Sequence, residues 1–207
     1  MKIINTYALS EKTLEKDIEK FIRDAKKGAY QYDYKYGQEG LKTLKAYFRM
    51  IEDEFKKQNY QTAKECYKKL LFFLLQRDYD YFNYEDIMSK FNAEKIVGNY
   101  FVCLIKLCKV RELYAEFLEY LKVKEDYFFE SAEKAILDLP EADLNAFLSL
   151  AKNYAEKVAE KDYPLHDLVY FLLAYAKKKK YKKEYTALCE KYAGIVGEEQ
   201  EEEYRSD

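Results

Sequence analysis

"GAYQYDYKYG", from Gly28 to Gly37, places tyrosine at every second position: Tyr30, Tyr32, Tyr34 and Tyr36. Period-two alternation is the pattern of a half-buried β-strand. Continuing past Gly37 changes the assignment. Tyr34, Gly37, Leu41, Leu44, Phe48, Ile51 and Phe55 recur at alternating spacings of three and four, which lines one face of an α-helix. A lone strand would also lack a partner elsewhere in the chain. The stretch therefore reads as the hinge of a helical hairpin. Gly28 ends one helix, Asp33 caps the next, and Tyr34 opens it facing the core. Tyr30 and Tyr32 fall in the turn, and Gly37 marks a close approach by a neighbouring helix. Tyr30 and Tyr36 remain as exposed candidates for contact with a partner.

The same periodicity runs through the rest of the chain. Leu14, Ile18, Phe21 and Ala25 form one stripe, and Ala63, Tyr67, Leu70 and Leu74 another. Ala93, Val97, Tyr100, Leu104 and Leu107 follow, then Leu113, Phe117 and Leu121, then Phe129, Ala132, Ile136 and Leu139. Leu144, Phe147, Ala151, Tyr154 and Val158 precede Leu165, Leu168, Leu172 and Tyr175, and Tyr181, Tyr185, Leu188 and Tyr192 close the series. Two runs, "LLFFLL" (Leu70–Leu75) and "VYFLLAYA" (Val169–Ala176), are apolar all round. Such helices are buried on more than one face and belong at the centre of their surroundings.

Start and stop signals punctuate the stripes. Asn83 is placed to cap a helix starting at Tyr84, with Phe82 and Ile87 as a hydrophobic staple. Pro140 and Pro164 fit first turns, with Asp138 or Leu139 and Asp162 as caps, and Gly194 fits a left-handed helix end. "KKQNYQTAKECYKKL" and "KKKKYKKEYTALCEKY" share a shape, a basic turn, a tyrosine and then a stripe. That shape suggests degenerate repeated hairpins, although no strict repeat of tetratricopeptide length can be written.

Composition agrees. Of 207 residues, 49% are hydrophobic and 36% charged, with only 6 Gly and 2 Pro. Many-stranded folds need a turn residue every ~8–12 positions, so long helices with short links fit better. No apolar run approaches the ~20 residues of a membrane span, and the first residues lack the pattern of a signal peptide. The net charge of −2 gives no global attraction to nucleic acid or anionic lipid. The Arg residues (Arg23, Arg49, Arg77, Arg111, Arg205) are a small part of the 36 basic ones, which disfavours bidentate phosphate or base readout.

The stretch "FIRDAKKGAYQYDYKYGQEGLKTLKAYF", followed by "KKQNYQTAKECYKKLL", resembles the α-helical repeat region that follows SWIM-type zinc fingers in some prokaryotic proteins. The likeness spans roughly residues 14–75. The finger itself would need a CxC pair and a CxH pair, and the chain has neither. The resemblance implies a helical-repeat fold and carries no activity with it.

Little points to chemistry. A single histidine, His166, excludes a di-iron bundle built on two Glu-x-x-His motifs. Cys66, Cys103, Cys108 and Cys189 lie within apolar helical patterns and form no paired zinc motif. They read as reduced, buried thiols of a cytoplasmic protein. No phosphate-binding glycine loop or nucleophile elbow occurs. Glu15 and Glu19 fit a solvated face of ion pairs. The remaining candidate is "KKKKYKK", comprising Lys177, Lys178, Lys179, Lys180, Tyr181, Lys182 and Lys183. It suits an anion-binding turn with a stacking tyrosine, or a helix end whose cations complement the macrodipole. The chain has 23 Tyr and no Trp, and tyrosine is enriched where proteins meet.

The sequence thus predicts an all-α protein of about nine helices in antiparallel hairpins, as a short right-handed tetratricopeptide-like solenoid or an irregular bundle. One helical-repeat domain is expected over residues 1–194 and a disordered acidic tail over 195–207, whose charge offers a screen for the basic turn. The expected role is a non-enzymatic, cofactor-free cytoplasmic module that binds a protein or peptide. The alternative is a nucleic-acid-associated accessory protein using the basic turn.

Overall fold

The computed structural model describes residues 9, 11–76, 81–84, 86–124, 130–158 and 163–196. Among the described residues the regular structure is helical, with nine α-helices, a one-turn 3-10 segment at Met88–Lys90 and no strand. The all-α expectation holds. The opening residues 1–8, Phe129, Asp162 and the acidic segment from Gly197 onward lie outside the described residues.

The chain divides into two compact units, one drawn from Met1–Leu107 and Asp126–Ala132, the other from Cys108–Glu125 and Glu133–Asp207. The first contains α1 (Leu14–Lys26), α2 (Glu39–Lys56), α3 (Tyr60–Leu75) and α4 (Ala93–Leu107). Leu70 to Leu75 are all buried, because α3 packs against α1, α2 and α4 alike. That is the central position its all-round apolarity requires. Thr13 caps α1, its Oγ1 accepting the Lys16 N–H at 3.3 Å, and Asn92 caps α4 by accepting the Lys95 N–H at 3.1 Å. Leu14, Ile18, Phe21 and Ala25 are buried as the stripe predicts.

The second unit contains α5 (Val110–Lys124), α7 (Glu141–Ala155), α8 (Tyr163–Lys178) and α9 (Lys182–Lys191), while α6 (Glu130–Leu137) bridges the sequence between α5 and α7. Here α8 is the central helix and touches α5, α7 and α9. Phe117, Phe147 and Phe171 meet pairwise with ring centroids 5.5 to 5.8 Å apart. The second unit also holds an ion pair within its interior. Lys124 Nζ donates to Asp167 Oδ1 at 2.8 Å, and the two side chains are only 6% and 19% exposed.

Several local expectations are corrected. Helix α2 begins at Glu39 rather than Tyr34. Tyr34 is 49% exposed and does not face the core. Gly37 is exposed at φ +111°, and the close approach falls at Gly40 instead, where an added Cβ would lie 2.9 Å from Tyr30 Cγ and 3.1 Å from the Phe82 ring. Asn83 adopts a left-handed conformation and starts no helix at Tyr84. The Asp86 carboxylate accepts the Ser89 N–H at 3.1 Å and supports the 3-10 turn. Pro140 is itself the residue before α7. Gly194 is not left-handed. Val196 is buried in a turn whose N–H bonds reach back to Tyr192, so ordered structure runs two residues into the segment assigned to the tail. Leu107 is 41% exposed at the end of its stripe.

Three helix ends share one geometry. Gly28, Gln58 and Lys180 are left-handed. In each case that residue's N–H returns to the carbonyl three back, and the next N–H to the carbonyl five back. This is the Schellman arrangement. Asn59 (φ −76°, ψ 58°) and Tyr181 (φ −85°, ψ 71°) follow with nearly the same backbone and precede α3 and α9. The two basic turns that look alike in sequence therefore fold alike, one in each unit.

Candidate functional site

Residues 29–38 form the loop between α1 and α2, and Asp33 organises it. Its carboxylate is buried and accepts the N–H of Gly40 at 2.7 Å and of Leu41 at 3.1 Å. Those are the second and third residues of α2, the donors an N-cap side chain normally satisfies. Tyr84 Oη donates to the same carboxylate at 3.5 Å. With Asp33 drawn inward, its neighbours turn outward. Tyr32, Tyr34 and Tyr36 are 57%, 49% and 75% exposed, and the rings of Tyr32 and Tyr36 meet edge to face at 6.3 Å.

Tyr30 is the exception. It is half-buried, stacked on Phe21 at 4.9 Å and on Phe82 at 5.9 Å. The expectation that Tyr30 is an exposed contact residue is corrected: it is packing that anchors the loop. Tyr36 is exposed as expected, and Tyr32 and Tyr34 join it. Backbone bonds from the N–H of Asp33 to the Tyr30 carbonyl, and from the N–H groups of Lys35 and Tyr36 to the Tyr32 carbonyl, coil the stretch into successive tight turns, which set Tyr32 and Tyr36 one turn apart with their rings in contact.

The basic turn is less open than its sequence. Lys177 and Lys178 end α8, and Lys182 and Lys183 begin α9. Lys178 Nζ pairs with Asp138 at 2.8 Å, and Lys177 and Lys182 have partners of their own. Lys179, Lys180 and Lys183 are exposed. Tyr181 is 47% exposed, but its ring meets Tyr175 edge to face at 6.0 Å.

A third surface, missed in the sequence, is a groove of about 570 Å³ between α1 and α3. Ile22, Phe72 and Phe73 form its apolar floor, with Arg23, Lys26 and Lys27 along one rim. Lys26 Nζ lies 6.0 Å from the centroid of the Phe73 ring. At the other end Lys69 holds the carboxylates of both Glu15 and Glu19. The hydrogen bond and charge of Lys69 pull the Glu19 carboxyl below its ordinary value. No stripe identifies such a groove, because its two walls come from helices far apart in sequence.

Three of the four thiols are buried. Burial pushes Cys66 and Cys103 up to about 12, and Cys189 is buried. Among the described residues no group of three or more His, Cys, Asp or Glu is placed to hold a metal ion, and no helix is long and apolar enough to cross a membrane. Compared with protein-family models, curated proteins and solved structures, the chain shows no match.

Proposed function

We propose that this protein is a non-enzymatic helical interaction module of the cytoplasm that binds a protein or peptide partner. The observation that carries the proposal is the outward row Tyr32, Tyr34 and Tyr36 on a loop pinned by buried Asp33. Large aromatic rings on a pre-ordered loop give contact area at low entropic cost. Nothing in the unit's own packing requires these three rings outside: the core beneath is filled by Phe21, Tyr30 and Phe82.

The alternative, nucleic-acid association through Lys177–Lys183, has less support. Lys178 is paired with a carboxylate and Tyr181 leans on Tyr175, so neither is poised for phosphate or base. The two readings separate in a capture experiment from source-cell lysate, with and without nuclease, using wild type, a Tyr32→Ser/Tyr34→Ser/Tyr36→Ser variant, and a Lys179→Glu/Lys180→Glu/Lys183→Glu variant. The protein-partner reading expects a nuclease-resistant partner lost from the tyrosine variant only. Partners that vanish with nuclease and with the lysine variant establish the alternative instead.

A further inference from the structure

We infer that the α1–α3 groove is a docking site for an acidic peptide segment that carries an apolar side chain. The inference rests on the protein-binding reading and names a partner class for it. Three features converge. The groove volume, about 570 Å³, lies in the ~300–1,000 Å³ range of ligand clefts. Its floor is Ile22, Phe72 and Phe73, which suits an aliphatic or aromatic side chain. Its rim is cationic: Arg23, Lys26 and Lys27 outnumber the one carboxylate that lines the groove, Glu19, which Lys69 already holds and which also feels the charge of Arg23.

Lys69 shows what this groove does with carboxylates. Glu15 and Glu19 converge on its single ammonium from α1, and the Glu19 carboxyl is pulled down as a result. A partner's acidic side chains would meet Arg23, Lys26 and Lys27 at the opposite end in the same way. Cations at the end of α1 also complement its macrodipole. That effect accounts for their sign and not for their placement around an aromatic floor, where Lys26 lies against the Phe73 ring.

The probe is a short fluorescent peptide in which glutamates flank a Phe–Leu pair, read by anisotropy against the full chain. Two companion peptides replace the Phe–Leu pair by serines or the glutamates by lysines. Arg23→Glu/Lys26→Glu is the groove variant, with circular dichroism and thermal melting confirming that it folds. Wild type should bind the acidic Phe–Leu peptide, and the groove variant should bind it about tenfold or more weakly. Both companion peptides should bind poorly, and added salt should weaken the interaction. Equal binding by wild type and groove variant overturns the site. Equal binding of the serine peptide overturns the apolar requirement. Displacement of the peptide from the groove by a single-stranded oligonucleotide at equal concentration overturns the partner class. The broader reading fails separately: a groove variant that still captures the wild type's nuclease-resistant partner removes the groove and leaves the module, while loss of any such partner from wild type removes both.

Discussion

Asp33 caps a helix that it does not adjoin: its Oδ1 accepts the Gly40 N–H at 2.7 Å across an intervening loop. The carboxylate does the work of an N-cap for α2, because Gln38, the residue in that position, is left-handed and makes no side-chain cap bond. One buried acid thus ties the end of the tyrosine loop to the start of the helix, and the outward set of Tyr32, Tyr34 and Tyr36 depends on it.

Asp33→Ala should therefore cost about 2 kcal/mol, since it strands the Gly40 and Leu41 donors in a buried setting. Asp33→Asn keeps one acceptor oxygen and should cost about half as much. Urea denaturation measures both, and proteolysis within residues 29–38 should accelerate in the same order. A loss within experimental error for Asp33→Ala would show that the loop is held by its aromatic packing alone.

Gly40 tests that packing. Alanine improves helix propensity by about 1 kcal/mol, but here its Cβ would lie 2.9 Å from Tyr30 Cγ and 3.1 Å from the Phe82 ring. Overpacking of this kind costs ~1–3 kcal/mol, so Gly40→Ala should destabilise. Removing the obstructing ring should relieve the clash, so Gly40→Ala with Tyr30→Ala should be less damaging than the sum of the singles. Strict additivity would mean that Tyr30 is not what limits the space.

These two sites also show where the sequence was readable. From Leu41 to Ile51 the α2 stripe is buried as its spacing demands, and Leu70–Leu75 and Val169–Ala176 mark the central helices of the two units. Periodicity reports burial along one helix, and there it succeeded. It failed at residues 34–37, because three-four spacing continued by chance into a loop whose conformation is set by a carboxylate reaching forward to Gly40. Asp33 reads as a cap in the sequence, but the helix it caps starts at Glu39, five residues beyond Tyr34. The groove was invisible because no local pattern encodes which face of α1 lies beside Phe72 and Phe73.

The Lys124–Asp167 pair yields a pH-dependent prediction. Burial pushes the Asp167 carboxyl up, while the hydrogen bond and charge of Lys124 pull it down, and burial wins. Lys124→Met leaves the buried carboxylate without its ion-pair partner and should cost ~3–5 kcal/mol at neutral pH. The same substitution removes the pull of Lys124, so the Asp167 pKa rises further. Between the unfolded and folded values the native state holds a proton that the unfolded chain has released, so stability falls as pH rises through that window. The cost of Lys124→Met should accordingly shrink as pH falls into the carboxylate range and Asp167 takes up its proton in the folded state. Lys124→Met/Asp167→Leu should recover most of the loss. Denaturation curves across this range decide it, and a cost independent of pH would exclude Asp167 as the source.

Thiol reactivity should separate the cysteines. With values near 12, Cys66 and Cys103 are thiolate to only about one part in ten thousand at pH 8. Cys189 is buried as well, whereas Cys108 is half-buried. A native titration with a disulfide reagent should show one fast thiol, abolished by Cys108→Ser, and the other three only after denaturation. Fast labelling of Cys66 or Cys103 in the native state would mean that α3 or α4 opens readily.

The two basic turns should respond alike to one substitution. Gln58 and Lys180 hold φ of 65° and 58° at equivalent positions of their Schellman turns, where an L side chain costs ~1–2 kcal/mol and glycine does not. Part of that gain is lost to the greater freedom of glycine in the unfolded chain. Gln58→Gly and Lys180→Gly should therefore each stabilise by about 0.5–1 kcal/mol, while Gly28→Ala, at φ 85° in the third such turn, should destabilise by a similar amount. Thermal melting measures all three. Opposite signs for Gln58→Gly and Lys180→Gly would mean that the shared geometry is not shared energetics, and that the side chain of Gln58 or Lys180 contributes something its turn does not explain. Stabilisation by both would leave the Lys180 side chain without a structural duty in its turn, so that Lys180→Gly becomes a clean reagent for testing the basic turn in binding.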